Sequence, residues 1–270
     1  MRHLRRVAAF LAVFFALTAP AASAQELALP APGSPRLTFD VIAIHPSKDP
    51  VPGQPCFTKS NPGGDGYQVR CMVVKNMMSL MYKIPERQIT GEPEWFSHQL
   101  WDIDAKADKN YSLDDLHTMF QNMLADRFAL KFHTEKRDGN IYALTIDPSG
   151  LKMKANTTPE PFQIPFQGTT AGFVGTRVPM QYLCWQLGQF LQNEQRPVIN
   201  MTGLTGNYDF KLVFLPELPP DFDKANLPPG FIDRPNLPTA LREQLGLKLT
   251  AQKGPVTFIL IDHVDKPSEN

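Results

Sequence analysis

The stretch LADRFALKFHTEKRDGNIYALTID, residues 124–147, contains the pattern that organises the chain. After the end of a helical pattern, ALKFHTEK and IYALTID alternate apolar and polar residues with the period of half-buried strands. The segment RDGN at 137–140 separates them and has the residues typical of a hairpin turn. The stretch therefore predicts a helix followed by a β-hairpin, with His133 in a structural position on the first strand.

A similar order of elements returns near the C-terminus. LREQLGLKL (241–249) takes the place of LADRFALKF (124–132), and YDFKL (208–212) takes the place of WDIDA (101–105). The segments LKLTA and VTFILIDHV flank QKGP at 252–255, which predicts a second β-hairpin. We therefore predict an α+β fold of two similar small modules, each a short β-sheet packed by two helices in a βαβ-αββ-like internal repeat.

Proline-rich segments set the expected domain boundaries. The first module is expected at residues 37–154 and the second at 173–270, with a linker rich in Pro, Thr, Gln and Gly at 155–172. Residues 25–36 are expected to form a flexible linker. The seven prolines of 216–238 predict a long surface insertion in the second module.

Three segments have apolar residues at helical spacing and predict helices with one buried face. They are MVVKNMMSLMYKI (72–84), SLDDLHTMFQNMLADRF (112–128) and VPMQYLCWQLGQFL (178–191). Ser112 is a good N-cap residue, with Asp115 in the position of a capping-box acid. A methionine stripe can line a promiscuous binding groove, but we interpret the stripe of the first segment as core packing.

The N-terminus has the pattern of a cleavable signal peptide, residues 1–24. Three arginines flank the start of a short apolar stretch at 7–16, and the small residues ASA at 22–24 predict cleavage after Ala24. The product is expected to be periplasmic or secreted, without a membrane span after cleavage. The mature chain keeps a slight excess of acidic side chains, which argues against a nucleic-acid partner.

Three cysteines remain in the mature chain, and export permits disulfides. Cys56 and Cys71 bracket a polar segment with the appearance of a loop whose ends can meet, so we predict a disulfide between them. Cys184 lies among apolar residues at helical spacing and is interpreted as a free core thiol. The alternative for Cys184, a catalytic thiol, requires a nearby histidine.

The segment TGLTG at 202–206 raises a choice between a ligand-cradling loop and a structural turn. Nucleic-acid-clamping loops share the spacing of Gly203 and Gly206, but they lie between helices in a basic setting. No Lys-Ser/Thr pair follows, so the segment is not a P-loop. The corresponding segment of the first half keeps Gly91 and lacks the second glycine. We interpret Gly203 and Gly206 as structural turn residues with positive φ.

The sequence contains no familiar catalytic or metal-binding motif. It lacks G-x-S-x-G, H-E-x-x-H and C-x-x-C, and its six histidines are scattered. No catalytic residue, metal ligand or cofactor is therefore predicted. Three strand aspartates, Asp102, Asp104 and Asp209, remain as acids that an enzyme could use.

Four segments resemble the soil-associated exported family of bacterial proteins, a domain of unknown function: FDVIAIHPSK (39–48), LADRFALKFHTEKRDGNIYAL (124–144), TGLTGNYDF (202–210) and LGLKLTAQKGPVTFILIDHVDKPSEN (245–270). The resemblance covers residues 37–270 and supplies no catalytic residue. Members of that family usually have an acid and a base before the TGLTG turn, where this chain has Asn200 and Met201. Members fused behind a membrane metallopeptidase of the antibiotic-sensor type imply an extracytoplasmic sensing or binding role.

Each half also looks like the short N-terminal module of secretins and TonB-dependent transducers, which implies binding to other proteins. The expected function is that of a non-enzymatic exported binding or sensing module, with an envelope protein or a small ligand as its partner. One alternative is an envelope-polymer hydrolase that uses Asp102, Asp104 or Asp209. Another is a structural envelope protein with neither a specific partner nor turnover.

Overall fold

The structure is a computed structural model that describes residues 27–30, 32–48, 55–61, 63–158, 165–169, 172–191, 196–216, 227 and 229–267. Over these ranges the fold is α+β, with three four-stranded sheets and five α-helices. The predicted signal peptide lies outside the described residues, as do residues 217–226 and 228 of the predicted proline-rich insertion. None of the helices in the described ranges is long and apolar enough to cross a membrane.

The first sheet is antiparallel, in the order β1-β5-β3-β2. Its strands are β1 (Val41–Pro46), β2 (Phe57–Ser60), β3 (Gly66–Met72) and β5 (Trp101–Lys106). The alternation of residues 101–105 is confirmed, because the apolar side chains of β5 are buried and its two aspartates lie on the other face. A disulfide joins Cys56 to Cys71 across β2 and β3, with their Cα atoms 5.1 Å apart.

Three helices pack against this sheet: α1 (Val74–Tyr82), α2 (Glu94–His98) and α3 (Leu113–Arg127). The methionine stripe of α1 is fully buried, which confirms its prediction as core packing. The hydroxyl of Ser112 caps α3 by accepting a hydrogen bond from the backbone N–H of Asp115 at 3.1 Å. We call the apolar cluster under this sheet and these helices the first core; it includes Met77, Phe120 and Ile103.

The third sheet is antiparallel, in the order β7-β11-β9-β8. Its strands are β7 (Lys154–Ala155), β8 (Phe166–Thr169), β9 (Gly172–Pro179) and β11 (Asn207–Leu212). The strand β8 lies inside the range predicted as a linker, because Phe166 packs against the rings of Phe173 and Phe210.

Two helices accompany the third sheet. They are α4 (Met180–Phe190) and the short α5 (Leu237–Ala240), which continues as a π-helical turn over Leu241–Leu245 and ends at Gly246. The apolar cluster between these helices and the sheet, which includes Leu183, Leu187 and Phe210, is called the second core.

The middle sheet has the order β10-β6-β12-β4. Its strands are β10 (Val198–Asn200), β6 (Lys131–Ile146), β12 (Leu247–His263) and β4 (Ile89–Thr90). The two outer strands are short and parallel to their neighbours, whereas β6 and β12 pair with each other in antiparallel register over almost their whole lengths.

Both predicted hairpins are wrong. Residues 137–140 lie in the interior of β6, residues 252–255 lie in the interior of β12, and Gly139 pairs with Gly254. If residues 137–140 formed a hairpin turn, the first half of β6 would pair with the second half of β6, and a turn at residues 252–255 would do the same in β12. By staying extended, both strands gain one long ladder and reach from one core to the other. The turn signal was local, and the pairing that overrides it is between residues more than a hundred positions apart.

The pair of β6 and β12 connects the two cores, because each strand ends in a different core. The end of β12 reaches the first core, where Ile259 is buried and Ile261 packs against the cluster. The end of β6 reaches the second core, where Leu144 is buried beside Leu247 from the start of β12. Between them lies a small cluster of Ile141, Ile199 and Val256. Neither core is therefore built from one continuous half of the chain.

Candidate functional site

The three aspartates singled out in the sequence do not form a site. Asp104 is exposed and pairs with Arg70 through two contacts of 2.8 and 3.0 Å. Asp102 lies on the same strand, and Asp209 lies in the third sheet. Each is held in a local interaction, so the structure does not bring the three carboxylates together.

Asp102 and Asp209 instead stabilise two strained backbone positions. The carboxylate of Asp102 accepts the backbone N–H of Cys71 at 2.8 Å, and that of Asp209 accepts the N–H of Arg177 at 2.8 Å. Cys71 has φ 45° and Arg177 has φ 53°, a region that side chains other than glycine rarely adopt. Both residues lie at strand irregularities three positions before a helix begins. Asn156 also donates to Asp209.

The other residues singled out in the sequence are in different surroundings. His133 is half exposed and contacts Asp262 through Nδ1 at 2.7 Å. Cys184 is free and buried, and burial raises the pKa of its thiol to about 12, which disfavours the thiolate. Gly203 and Gly206 have φ of 71° and 89°, and nothing lies within 4 Å of a Cβ added at either position.

A pocket of about 220 Å³ lies where three separate parts of the chain meet. The segment at Ala28 and Leu29 contributes one side, α3 contributes a second, and the start of α4 contributes a third with Tyr182. Lys83, at the end of α1, also lines the pocket. The pocket therefore lies between elements of the first core and a helix of the second.

The N-terminal segment is tied to this pocket by hydrogen bonds. The backbone N–H of Ala28 donates to the carbonyl of Tyr82 at 3.1 Å, and the side-chain amide of Gln121 donates to the carbonyl of Ala28 at 2.6 Å. The same amide donates to the carbonyl of Met81 at 2.9 Å. The Oε1 atom of Gln121 is buried and has no hydrogen-bond partner among the described residues. A buried acceptor without a hydrogen bond lowers the stability of the fold. This wall of the pocket therefore carries a polar atom whose hydrogen-bonding capacity is unused.

Lys83 is the most unusual residue of the pocket. It ends α1 in the left-handed region at φ 53°, where glycine is the common residue, and its side chain is buried. Its Nζ atom donates to the carbonyl of Leu80 at 2.5 Å. The same atom lies over two rings of α4, 5.0 Å from the centre of Tyr182 and 5.3 Å from that of Trp185.

Lys83 belongs to a buried chain of polar groups that includes His117 and Tyr67. Nζ of Lys83 lies 3.3 Å from Nδ1 of His117, and Nε2 of His117 lies 2.7 Å from the hydroxyl of Tyr67. With His117 neutral and its proton on Nε2, Nδ1 accepts from Lys83 and Nε2 donates to Tyr67. The chain joins α1, α3 and β3 and ends at the pocket.

Burial shifts the ionisation of every member of this chain toward its neutral form. It lowers the pKa of Lys83 to about 7, against an opposing effect of the carboxylate of Asp114. Burial, and then the charge of Lys83, hold the pKa of His117 well below its usual value. Burial also raises the pKa of Tyr67. At a pKa of about 7, the amine and the ammonium forms of Lys83 are both populated near neutral pH. The two ring faces favour the ammonium form.

This arrangement presents a partly neutral amine to a small pocket, next to a neutral imidazole that can accept a proton. Such an amine is a nucleophile and a base, whereas an exposed lysine is almost fully protonated at neutral pH. In the described part of the chain, no group of three or more His, Cys, Asp or Glu side chains is placed to hold a metal ion.

Sequence reasoning missed this site because the helical segments that contain its residues were interpreted only through their apolar stripes, and His117 was counted only among six scattered histidines. His117 and Gln121 occupy buried positions of the α3 stripe, and Lys83 directly precedes the buried Ile84. Polar residues at positions that the helical period assigns to the core were the available signal. That they meet one another, and meet α4, follows only from the packing.

Comparison with protein families places the chain within a described family. A family model with the description "Protein of unknown function (DUF3738)" matches residues 75–264, which is more than two thirds of the 270-residue chain. The long strand pair and the pocket residues Lys83, His117 and Tyr182 lie within this range, whereas Tyr67 precedes it. Comparisons with curated proteins and with solved structures find no match.

Proposed function

We propose a function for this chain, which belongs to the DUF3738 family of proteins of unknown function: it is an exported, non-enzymatic protein that binds a small molecule in the Lys83 pocket. The observation that carries the proposal is the convergence of α3, α4 and the segment at residues 28–29 on one concave site. That site holds a buried amine and an unpaired buried acceptor on Gln121.

The size and lining of the pocket favour a small ligand. Pockets for drug-sized ligands have volumes of about 300 to 1,000 Å³, so a pocket of about 220 Å³ suits a molecule with few heavy atoms. The lining combines aliphatic and aromatic surface from Leu29, Pro179 and Tyr182 with polar and charged side chains that can fix the orientation of a ligand. Asp114 lines the pocket, and its carboxylate disfavours strongly anionic ligands.

Export remains part of the proposal. The pattern of residues 1–24 supports a periplasmic or secreted product, and the disulfide between Cys56 and Cys71 is compatible with an oxidising compartment. The resemblance to the soil-associated exported family supports a sensing role outside the cytoplasm. In that role the ligand signal would pass to an envelope protein.

We also propose that the two halves are related modules. The pair Asp102 and Cys71 has a counterpart in Asp209 and Arg177. In each pair the aspartate carboxylate accepts a backbone N–H, and a helix begins three residues after the donor, α1 in the first case and α4 in the second. The short parallel strands β4 and β10 occupy corresponding outer positions of the middle sheet. A likeness to the short N-terminal module of secretins and TonB-dependent transducers supports an edge strand as the contact to an envelope protein.

The test is a small-molecule screen by thermal shift on the mature chain, repeated on a variant with a filled pocket. Thr118→Trp places a large ring in the pocket from an accessible position of α3. Ala125→Trp, two turns along the same helix and exposed, is the matched control. We expect ligands that stabilise the wild type and Ala125→Trp but not Thr118→Trp. Ligands that stabilise all three proteins equally would show that binding occurs elsewhere.

A further inference from the structure

Building on the proposed function, we infer that Lys83 is the reactive group of the pocket and that it holds a small aldehyde or ketone ligand as a reversible imine. The inference assigns a chemical class to the ligand and a covalent role to one side chain. It rests on where Lys83 is placed, on what surrounds its amine and on the access that the pocket provides.

The placement of Lys83 combines two unfavourable features in one residue. Its backbone lies in the left-handed region, which residues other than glycine rarely adopt because the Cβ atom crowds the following carbonyl oxygen. Its amine is buried, although lysine is among the residues least often buried. Strained and desolvated residues cluster at functional sites, where the strain holds a group in place for its task.

The groups that face Nζ come from each element packed around it. From α1 it meets the carbonyl of Leu80, from α3 the imidazole of His117, and from α4 the rings of Tyr182 and Trp185. Asp114 of α3 lies on the pocket wall and favours the ammonium form. Tyr67 of β3 acts through His117. Burial outweighs the effect of Asp114 and lowers the pKa of Lys83 to about 7, so a large fraction of its amine is unprotonated at neutral pH.

The reaction needs no oxidant, reductant or metal. The lone pair of the neutral amine forms a bond to the carbonyl carbon, and the carbonyl oxygen takes up the two amine protons and leaves as water. The product is an imine between Nζ and the ligand carbon, and addition of water reverses every step. The low water content of a buried site favours the imine.

His117 is suited to move a proton in this sequence. Its Nδ1 atom lies 3.3 Å from Nζ, and its pKa is held low, so it is a neutral base when the amine adds to the carbonyl. Tyr67 holds the ring through Nε2 at 2.7 Å and is therefore a positioning residue. Its substitution by Phe should slow imine formation without removing the amine.

The test is reductive trapping of the folded mature chain with propanal and sodium cyanoborohydride at pH 7, followed by peptide mapping. Lys83 should become propylated at least about tenfold faster than the exposed Lys109 and Lys248, because burial lowers the pKa of Lys83 to about 7 and leaves much of its amine unprotonated at pH 7. The preference should shrink at pH 10, because the amine of Lys83 is already unprotonated above its pKa of about 7 and gains no further reactivity. Labelling of Lys83 no faster than Lys109 at pH 7 would overturn the inference.

Pocket variants show whether the label depends on the pocket. In Thr118→Trp the rate at Lys83 should fall at least about tenfold while the rate at Lys109 stays the same, and Ala125→Trp should behave as the wild type. Equal labelling of Lys83 in all three proteins would overturn the role of the pocket. If Thr118→Trp does not fold, the inference is still tested by the labelling rates of Lys83 and Lys109 within the wild-type protein.

Failure of this inference can be distinguished from failure of the proposed function. A screen that yields ligands lost in Thr118→Trp, together with unreactive Lys83, would leave the binding function in place and remove the imine. A screen without pocket-dependent ligands, together with unreactive Lys83, would remove both. Selective labelling of Lys83 that Thr118→Trp suppresses supports both at once.

Discussion

Gly139 of β6 pairs with Gly254 of β12 at the centre of the longest strand pair in the structure. Neither glycine has positive φ, so neither is present to make a turn. A Cβ on Gly139 would lie 2.9 Å from Cγ2 of Val256, and a Cβ on Gly254 would lie 2.6 Å from Cδ1 of Ile141. The glycines leave room for the buried side chains of the small cluster between the two cores.

Gly139→Ala should therefore destabilise the protein by about 1–3 kcal/mol, because Val256 is β-branched, buried and unable to move aside easily. The measurement is urea unfolding followed by fluorescence. In a Val256→Ala background the same substitution should cost much less, since Cγ2 is gone. Gly188→Ala in α4, where nothing lies within 4 Å of the added Cβ, is the control and should be neutral or stabilising by up to about 1 kcal/mol. Additive costs in the double variant would contradict the clash.

Lys83→Met should stabilise the protein at neutral pH, because it removes an ionisable group that burial holds near a pKa of about 7. The unfolded chain binds this proton up to about pH 10, so between pH 7 and pH 10 it holds more protons than the native state does. Wild-type stability therefore rises with pH over this window. The variant should be more stable by about 2–4 kcal/mol at pH 6, and the difference should narrow by about 2 kcal/mol at pH 8.5.

The measurement for Lys83→Met is urea unfolding at pH 6, 7 and 8.5. Lys109→Met, at an exposed position, should change stability by less than about 0.5 kcal/mol at every pH. A constant difference between the wild type and Lys83→Met across these pH values would mean that Lys83 titrates as an ordinary lysine.

Asp102→Ala and Asp104→Ala should differ in effect although the two residues lie on the same face of β5. Loss of the Asp102 carboxylate leaves the N–H of Cys71 without its acceptor and should cost about 1–3 kcal/mol. Loss of the exposed ion pair between Asp104 and Arg70 should cost no more than about 1 kcal/mol. Both values come from denaturant unfolding. A larger cost for Asp104 than for Asp102 would contradict the structural role given to Asp102.

Alkylation should separate the three cysteines into two classes. In the folded protein iodoacetamide should label none of them, because Cys56 and Cys71 are joined and Cys184 is buried. In denaturant without reductant only Cys184 should be labelled, and reductant should add Cys56 and Cys71. Reduction should also lower stability by roughly 3 kcal/mol in the chain-entropy account of a loop of this length. Labelling of Cys56 or Cys71 before reduction would contradict the disulfide.

Elements with a local signal could be predicted from the sequence. The alternation in residues 101–105, the methionine stripe of α1 and the cap at Ser112 each depend on residues within a few positions of one another, and each was predicted correctly. The pairing of Cys56 with Cys71 was predicted for the same reason, since a short polar loop separates them. All of these features depend on residues that lie close together in the sequence, which is why the sequence was enough to predict them.

The pairing of β6 with β12 and the assembly of the pocket depend on contacts between residues that are far apart in the sequence. The segment at 137–140 has the composition of a turn, and only the presence of β12 alongside makes its extended form the better one. Lys83, His117 and Tyr182 lie on three helices, and their spacing in the sequence carries no sign that they meet. Packing brings them together, and the burial that packing produces lowers the pKa of Lys83, so the chemistry of the pocket belongs to the fold and not to any one segment.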